Sequence, residues 1–304
     1  MTWFLRRWRR PVMDRPQVQA AAQPTSASGE RSYIFGESEG EISRLDLQHY
    51  MFRWEFGGDF SAPLDSPWNV LDVACGTGRW ARDMARQFPQ ATVIGFDINQ
   101  QQLEASLAEG AQTGADVLPE NCSFLVGNAL EPFAYADGSF DFVMARATSA
   151  FIPVSQWQSV IAQMARVCRA GGWVELRDFG LVRSPHSALN ELTVKFANLA
   201  AARGIYPGAG PYLGDFLKAA GLRHVQARRV AVRSGGPQRA TRGGRLMLAD
   251  YLALLDRVTP FIAQAQIERA DRWQQLLAQA RNETALHPDT CYAEVELTSA
   301  IGQR

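Results

Sequence analysis

The stretch Asn69-Val-Leu-Asp-Val-Ala-Cys-Gly-Thr-Gly-Arg-Trp-Ala81 decides the fold of this chain. It begins as a short apolar run rich in strand-forming residues and then enters the turn Cys75-Gly-Thr-Gly78. A helical pattern starts immediately afterwards, with apolar residues from Trp80 to Phe88. A strand that runs through a glycine turn into a helix exposes backbone N–H groups and the positive end of the helix dipole at one place. The pattern predicts a nucleotide-like ligand, and alone it fits a dinucleotide as well as a nucleoside.

The composition is that of an ordinary globular protein. Of the 304 residues 46% are hydrophobic and 20% are charged, and the length favours one domain with insertions. The formal net charge is +0, so no overall field attracts nucleic acid, and we expect no nucleic-acid partner. No apolar run approaches the ~18 residues that a transmembrane helix requires.

The cysteines are far apart and form no metal-ligand or CxxC spacing. We therefore expect no metal site, and free thiols are favoured over disulfides because most of the cysteines lie in apolar runs. This usage indicates a reducing, cytoplasmic setting. The cysteines are Cys75, Cys122, Cys168 and Cys291.

Residues 1–30 differ in composition from the rest of the chain. The segment Met1–Arg10 is basic and aromatic, and a stretch rich in Pro, Gln, Ala and Ser follows it. We expect a disordered tail. An amphipathic contact with a membrane surface or an acidic partner stays open as the alternative.

Strands alternate with helices from residue 69 to residue 178, which predicts an α/β fold with a parallel sheet covered on both faces. Ligands of such sheets bind beyond the carboxyl ends of the strands, where Asp97, Asn128, Arg146 and Asp178 fall. The strands are predicted at 69–74, 91–97, 121–130, 137–146 (with its turn) and 173–178, and the helices at 79–88, 99–110 and 154–169, with Arg169-Ala-Gly-Gly172 as the last helix's C-cap.

The last third of the chain predicts cap elements around this core. A domain over 31–304 would have its core at 68–180, 211–234 and 289–304, and its cap at 33–56, 181–210 and 243–285. Within these parts we expect helices at 186–203, 212–220, 245–257 and 260–282, and strands at 224–233 and 291–300.

Asp97 ends the second predicted strand, roughly 20 residues beyond the glycine turn, where a carboxylate can accept hydrogen bonds from both hydroxyls of a ribose. A helix N-cap is the alternative role for this residue. Its occurrence together with the glycine turn favours ribose binding.

Five motifs in order resemble the class I S-adenosylmethionine-dependent methyltransferases, over residues 33–234 and the final strand. They are Val70–Gly78, Asp97, Asn128-Ala129, Ser139–Arg146 and Arg166–Glu175. The segment Ile42–His49 further resembles the subgroup that contains the fungal secondary-metabolism regulator LaeA and bacterial small-molecule methyltransferases. Two positions depart from the family's pattern: Ala74 replaces its first glycine, and Arg169-Ala170 replaces a Lys-Pro pair.

The resemblance implies a Rossmann-like seven-stranded sheet with an antiparallel last strand and helical cap insertions. It also implies S-adenosyl-L-methionine as cofactor and S-adenosyl-L-homocysteine as product. The residues expected at the cofactor are Tyr33, Asp72, Ala74, Cys75, Gly76, Gly78, Asp97, Ile98, Asn128, Ala129, Leu130 and Arg146. Asp72 would repel a pyrophosphate but can accept a hydrogen bond from a methionyl ammonium, which argues against NAD.

The acceptor has no dedicated motif, so we expect a small molecule that binds among the cap elements. His49, Asp178 and His186 are the candidate bases or holding groups, against surface, cap or loop-capping roles. Arg146 can hold a carboxylate of the cofactor or of the substrate, and a structural ion pair is its alternative role. The leading hypothesis is methyl transfer in secondary metabolism; a regulatory protein that keeps the fold and an NAD-type oxidoreductase are the alternatives.

Overall fold

The computed structural model describes residues 39–113 and 117–304, so the predicted tail and Tyr33 lie outside the described residues. The strands are β1 (Asn69–Val73), β2 (Thr92–Asp97), β3 (Cys122–Val126), β4 (Phe140–Arg146), β5 (Cys168–Phe179), β6 (Arg223–Arg233) and β7 (Glu294–Gln303). The helices are α1 (Glu39–Phe56), α2 (Arg79–Gln87), α3 (Gln100–Thr113), α4 (Trp157–Val167), α5 (Ser187–Ala201), α6 (Leu213–Ala219), α7 (Gly244–Arg257), α8 (Thr259–Gln264) and α9 (Ala270–Leu286).

The strands form one seven-stranded sheet in the order β3-β2-β1-β4-β5-β7-β6. Strands β1 to β5 run parallel to one another, whereas β7 lies antiparallel between β5 and β6. This arrangement confirms the predicted Rossmann-like sheet with its antiparallel last strand. Helices α7, α8 and α9 are inserted between β6 and β7, where the cap insertion was predicted.

Strand β1 is the buried centre of the sheet. Each of its residues is buried, as expected for a parallel strand covered on both faces. Val73 pairs with Phe96 of β2 on one side and with Ala145 of β4 on the other. The chain order reverses across β1, and such a switch point opens a crevice at the carboxyl ends of the strands.

The predicted C-cap at Arg169-Ala-Gly-Gly172 is wrong. Helix α4 ends at Val167, and the residues that follow already belong to β5. The reason is a contact with the far end of the chain: Gly171 N–H donates to Arg304 O at 2.8 Å, and the Arg304 guanidinium donates to the carbonyl oxygen of Cys168. Local sequence carries no sign of these partners.

Two further boundaries differ from the prediction. The single helical pattern at 260–282 is split into α8 and α9 by a turn in which Gln266 has a φ of 54°. Strand β3 ends at Val126, so residues 127–130 form a loop at the edge of the sheet. In the described part of the chain, no helix is long and apolar enough to cross a membrane.

A buried ion pair attaches the connection between α1 and β1 to the sheet. The Glu175 carboxylate accepts hydrogen bonds from Ser61 N–H at 2.7 Å, Ala62 N–H at 3.0 Å and Ser299 Oγ at 2.9 Å. Arg177 Nε donates to the same carboxylate at 2.8 Å, and both charged side chains are almost fully buried. The two oxygens of the Glu175 carboxylate thus accept four hydrogen bonds in all, and these bonds attach the connection between α1 and β1 to strands β5 and β7.

We expect Glu175→Ala to lower the free energy of unfolding by about 3–5 kcal/mol, because it leaves the Arg177 guanidinium buried without its anion. Urea denaturation at neutral pH measures the change. Asp215→Ala is the control: this carboxylate also pairs with a cation, Lys218, but both side chains are mostly exposed, so the loss should stay below about 1 kcal/mol. Equal losses in the two variants would contradict the role given to Glu175.

Candidate active site

The glycine turn that follows β1 has a left-handed backbone at three positions. Ala74, Gly76 and Gly78 have φ angles of 55°, 59° and 70°. At Ala74, where the family has glycine, the side chain is accommodated at a cost on the order of 1 kcal/mol or more. Gly76 N–H donates to Asp97 Oδ2 at 2.8 Å, which fixes the turn to the end of β2.

Gly78 lets α2 approach β3. A Cβ atom at this position would lie 2.3 Å from the ring of Phe124, so a side chain could be placed there only if that ring or the elements that carry the two residues shifted. Gly78 does not line the cavity described below; it sets the position of the turn that does.

A cavity of about 930 Å³ opens at the carboxyl ends of the strands. Its size is in the range of small-molecule and cofactor sites. Ten of the predicted cofactor residues line it: Asp72, Ala74, Cys75, Gly76, Asp97, Ile98, Asn128, Ala129, Leu130 and Arg146.

Asp97 faces this cavity and keeps acceptor capacity. Its Oδ1 accepts a hydrogen bond from Asn99 N–H at 2.9 Å, in addition to the bond from Gly76 to Oδ2. Burial raises its pKa, and the backbone hydrogen bonds oppose that shift. The N-cap alternative is wrong, because Asn99 Oδ1 accepts the hydrogen bond from Gln102 N–H in the first turn of α3. The Asp97 carboxylate lines the cavity and does not cap α3, so its remaining acceptor capacity is open to a hydroxyl group.

The loop after β3 forms an apolar slot beside Asp97. Asn128 Oδ1 accepts a hydrogen bond from Leu130 N–H at 2.9 Å, so its side chain shapes the loop. Ile98, Ala129 and Leu130 supply the apolar surface that lines the cavity at this end. A flat apolar ring fits such a slot better than a charged group does.

Asp72 is a buried carboxylate near the end of β1, and it lines the same cavity. Its Oδ2 atom is buried and has no hydrogen-bond partner in the described part of the chain. Burial raises the pKa of Asp72 to about 7, although the charge of Arg146 acts in the opposite direction. An unpartnered buried carboxylate oxygen at a cavity wall suits a cationic ligand group.

His49 connects Asp83 with Arg146. Its Nε2–H donates to Asp83 Oδ2, 3.0 Å away, and its Nδ1 accepts a hydrogen bond from Arg146 Nη1 at 3.2 Å. These partners assign the neutral tautomer that carries its proton on Nε2. Burial lowers the pKa of His49, with the hydrogen bond to Asp83 acting against that shift.

Asp83 is the ionised end of this chain of hydrogen bonds. Burial alone would raise its pKa, but the hydrogen bond from His49 and the nearby Arg79 and Arg53 lower the pKa to about 2. Asp59 lies close enough for His49, Asp59 and Asp83 to offer metal-ligand atoms within 4.8 Å of one another. Arg53 Nη1 lies 3.1 Å from Asp83 and 3.6 Å from Asp59, so positive charge is already present at this cluster.

Two of the three predicted catalytic residues lie outside the cavity, and their predictions are corrected. The Asp178 carboxylate accepts hydrogen bonds from Thr148 N–H and Ser149 N–H, both at 2.7 Å, and from Ser149 Oγ at 2.5 Å. It therefore holds the loop after β4. His186 precedes α5 and pairs with Glu283 of α9, so it links two cap helices. Only His49 of the three lines the cavity.

The far end of the cavity is an apolar chamber that no sequence motif indicated. Its walls come from the end of β5, from α5 and from the inserted helices α7 and α8. Sequence periodicity predicted these helices, but not which of their faces meet. The main apolar residues of the chamber are Phe52, Phe179, Phe196, Met247, Tyr251, Leu254 and Phe261.

A polar seam joins α1 to α7 beside this chamber. Arg44 Nη1 donates to Asp250 Oδ1 at 2.8 Å, and Gln48 Nε2 donates to Asp250 Oδ2 at 3.1 Å. These three residues are buried and line the cavity. The seam joins two segments of the cap that are about 200 residues apart in the chain.

The fold and the site define an α/β protein with a Rossmann-like sheet and a nucleoside-type cavity at its glycine turn. Residues 70–172 match a family model described as a methyltransferase domain. Methyltransferase str3 of Strobilurus tenacellus is 30% identical over 162 residues, which cover 53% of this chain and 53% of that protein. Secondary metabolism regulator laeA of Aspergillus fumigatus is 29% identical over 146 residues, which cover 47% of this chain and 35% of the regulator. The chain thus spans about half the length of the first relative and about a third of the second.

Among solved structures, phosphoethanolamine N-methyltransferase 2 of Haemonchus contortus, in complex with phosphomonomethylethanolamine and S-adenosylhomocysteine, shares the fold. It aligns with a TM-score of 0.50 and 17% identity over 86% of this chain and 58% of that chain. These likenesses support the resemblance to the class I S-adenosylmethionine-dependent methyltransferases that the motifs predicted.

We expect Gly78→Ala to lower the free energy of unfolding by roughly 2–4 kcal/mol. The substitution places a residue with a side chain in a left-handed backbone conformation, and the new Cβ overlaps the ring of Phe124. Gly221→Ala is the matched control: its φ is 82°, but nothing lies within 4 Å of the added Cβ, so a loss of about 1 kcal/mol is expected. Urea denaturation of both variants measures the difference. Equal losses would mean that Phe124 moves aside without cost.

Proposed function

We propose that this protein transfers the methyl group of S-adenosyl-L-methionine to a small-molecule acceptor. The observation that carries the proposal is the unpartnered, buried oxygen of Asp72 beside the glycine turn. A pyrophosphate would be repelled at this point, whereas the ammonium of a methionyl group would supply the missing hydrogen-bond donor.

The remaining lining residues fit the rest of that cofactor. The Asp97 carboxylate lines the cavity at the end of β2, where it can accept hydrogen bonds from ribose hydroxyls. Ile98, Ala129 and Leu130 offer an apolar slot for the adenine ring. Backbone groups of the glycine turn, from Ala74 to Gly76, can approach the ligand closely because the turn presents little side-chain bulk. When bound, the cofactor supplies a methyl carbon activated by its sulfonium group.

The protein's contribution is positioning and exclusion of water. In-line displacement requires that the acceptor atom lie directly opposite the departing sulfur. A rigid pocket meets this requirement because it orients both reactants when they bind, before the reaction begins. The seam between α1 and α7 covers the cavity, and the apolar chamber beyond it holds the acceptor. A small molecule is the acceptor that a cavity of about 930 Å³ can enclose together with a cofactor.

The relatives support a role in secondary metabolism, since str3 is a fungal methyltransferase and laeA a secondary-metabolism regulator. Three of the four free cysteines are buried, which agrees with a cytoplasmic setting. The likeness to laeA makes a regulatory role the second candidate. Transfer of labelled methyl from the cofactor to a metabolite extract, and not to protein, would favour the enzyme.

Calorimetric titration tests cofactor identity. We expect S-adenosylhomocysteine to bind and NADH not to bind, because Asp72 suits an ammonium and repels a pyrophosphate. Asp97→Ala should weaken S-adenosylhomocysteine binding roughly tenfold or more by removing the ribose acceptor. Asp65→Ala, on an exposed loop, should leave the affinity unchanged. Binding of NADH alone would overturn the proposal.

The pH dependence of binding tests the role of Asp72. Its pKa of about 7 means that the carboxylate protonates below neutrality, so affinity for S-adenosylhomocysteine should fall as the pH drops from 8 to 6. Asp72→Asn should bind S-adenosylhomocysteine weakly and lose this pH dependence.

In the ligand-free protein, the effect of pH on stability has the opposite sign to its effect on affinity. Because the folded pKa lies above the ordinary value of 3.8, the contribution of Asp72 to stability is greatest below about pH 4 and is lost as the pH rises through 7.

Unfolding measurements on the ligand-free protein check this second effect. Between pH 4 and pH 8, wild type should lose more stability than Asp72→Asn does, because only the wild type has to ionise this buried carboxyl. Parallel stability profiles for the two proteins would show that Asp72 is ionised throughout that range.

A further inference from the structure

Arg146 is a cation at the cavity wall that forms no close ion pair with the described residues. It stands at the end of β4 and lines the cavity, yet within the described chain it makes no ion pair. Its Nη1 donates to neutral His49, its guanidinium lies 5.5 Å from the centre of the Trp80 ring, and its Nε is buried without a hydrogen-bond partner. Enclosure by protein lowers the pKa of Arg146, although an arginine remains charged.

Arg146 is half-buried, and its Nε is buried without a partner at the cavity wall. A guanidinium in this position suits an anionic ligand, because its several N–H donors fit a carboxylate or another acidic oxygen group. Asp72 acts on Arg146 electrostatically, but its free oxygen is the one assigned to the cofactor's ammonium. The guanidinium of Arg146 can therefore bind an anionic group of a ligand in addition to its long-range interaction with Asp72.

The position of Arg146 favours the acceptor as the source of this anion. Strand β4 lies between β1, which carries the cofactor turn, and β5, whose end opens into the apolar chamber. Ala145 pairs with Val73 of β1 on one side and with Leu176 of β5 on the other. Arg146 thus stands at the boundary between the two halves of the cavity.

Apart from Asp72, which is assigned to the cofactor's ammonium, the boundary offers little to remove a proton from a neutral acceptor. The lone pair of His49 Nδ1 is occupied by Arg146, and both Asp250 oxygens accept hydrogen bonds from Arg44 and Gln48. Burial raises the pKa of Tyr251, whose hydroxyl donates to Thr193 at 2.9 Å and stays protonated. An acceptor that is ionised before it reacts needs no base.

Beyond Arg146 the chamber is apolar and rich in aromatic rings. Phe52, Phe179, Phe196 and Phe261 line it, together with Met247. A surface of this kind binds a ring-bearing hydrocarbon body and suits a small, wholly polar acceptor such as a sugar poorly.

We propose that the acceptor is an acidic oxygen (a carboxylate, phenolate or enolate) on an apolar, ring-bearing body, and that Arg146 holds this oxygen. The inference rests on the proposed methyl transfer and names its substrate class. In the step, a lone pair of the acceptor oxygen forms the O–C bond while the C–S bond breaks and sulfur keeps that electron pair. The anion and the sulfonium both become neutral, no proton moves, and the product is a methyl ester or methyl ether.

Three naphthalene probes that share one apolar body test this class: 2-naphthoate, neutral 2-naphthamide and cationic 2-naphthylmethylammonium. Each is titrated into the protein saturated with S-adenosylhomocysteine. Wild type should bind 2-naphthoate roughly tenfold more tightly than either of the others, because only the carboxylate pairs with the guanidinium. Equal or tighter binding of the amide or the amine would overturn the proposal, whatever any variant does.

Variants then assign the effect to Arg146. Arg146→Gln should weaken 2-naphthoate binding roughly tenfold or more and leave 2-naphthamide within about twofold. Arg146→Lys keeps the positive charge but loses the paired N–H donors of the guanidinium, so its affinity for 2-naphthoate should lie between those of wild type and Arg146→Gln. It also provides the test if Arg146→Gln fails to fold. Arg223→Gln is the control, since Arg223 is an exposed cation at the start of β6 that does not line the cavity; it should leave 2-naphthoate binding within about twofold.

Cofactor titrations separate this proposal from its main rival, in which Arg146 holds the cofactor's own carboxylate. If so, Arg146→Gln and Arg146→Lys would weaken S-adenosylhomocysteine but not 5′-methylthioadenosine, which lacks the amino-acid part, and the proposal would be overturned. Unchanged S-adenosylhomocysteine affinity in these variants, with loss of 2-naphthoate, supports it. Failure of wild type to bind S-adenosylhomocysteine at all would instead refute the methyl-transfer function, a result distinct from either outcome.

Discussion

The hydrogen bond from Gly76 N–H to the Asp97 carboxylate is the contact on which the site depends. It joins the turn after β1 to the end of β2, and the bond from Asn99 to the same carboxylate fixes the start of α3. The close approach of Gly78 to Phe124 adds β3 to this arrangement. Because the parallel register places the strand ends at one edge, these contacts turn three neighbouring loops into one half of a cavity.

The other half of the cavity depends on contacts between distant segments. Asp250 of the inserted helix α7 accepts hydrogen bonds from Arg44 and Gln48 of α1, and the buried Glu175–Arg177 pair holds the chain that follows α1 on the sheet. Together they bring the first described helix and the late insertion over the same strand ends. The apolar chamber exists only because these separate segments meet.

Two side chains of opposite charge, Asp72 and Arg146, lie in different regions of the cavity. The free oxygen of Asp72 lies on the side of the glycine turn, and Arg146 lies at the boundary with the chamber, supported by His49 and ionised Asp83. A carboxylate suits the cationic group of a methionyl cofactor, and a guanidinium suits an anionic acceptor. Under the proposed function, these two charges would select the cofactor and the acceptor, and the reaction itself would mainly require that the two be correctly oriented.

The sequence by itself determined the α/β sheet, the glycine turn and the carboxylate at Asp97, because strand and helix periodicity and turn residues act over a few positions. Only the tertiary structure decided which polar groups meet. His49 contacts Arg146 across 97 residues, Arg304 contacts Cys168 and ends α4 early, and Asp178 turns its carboxylate to the 148–149 loop rather than to the cavity. Such pairings depend on how helices and strands pack, and local sequence carries no record of the partner.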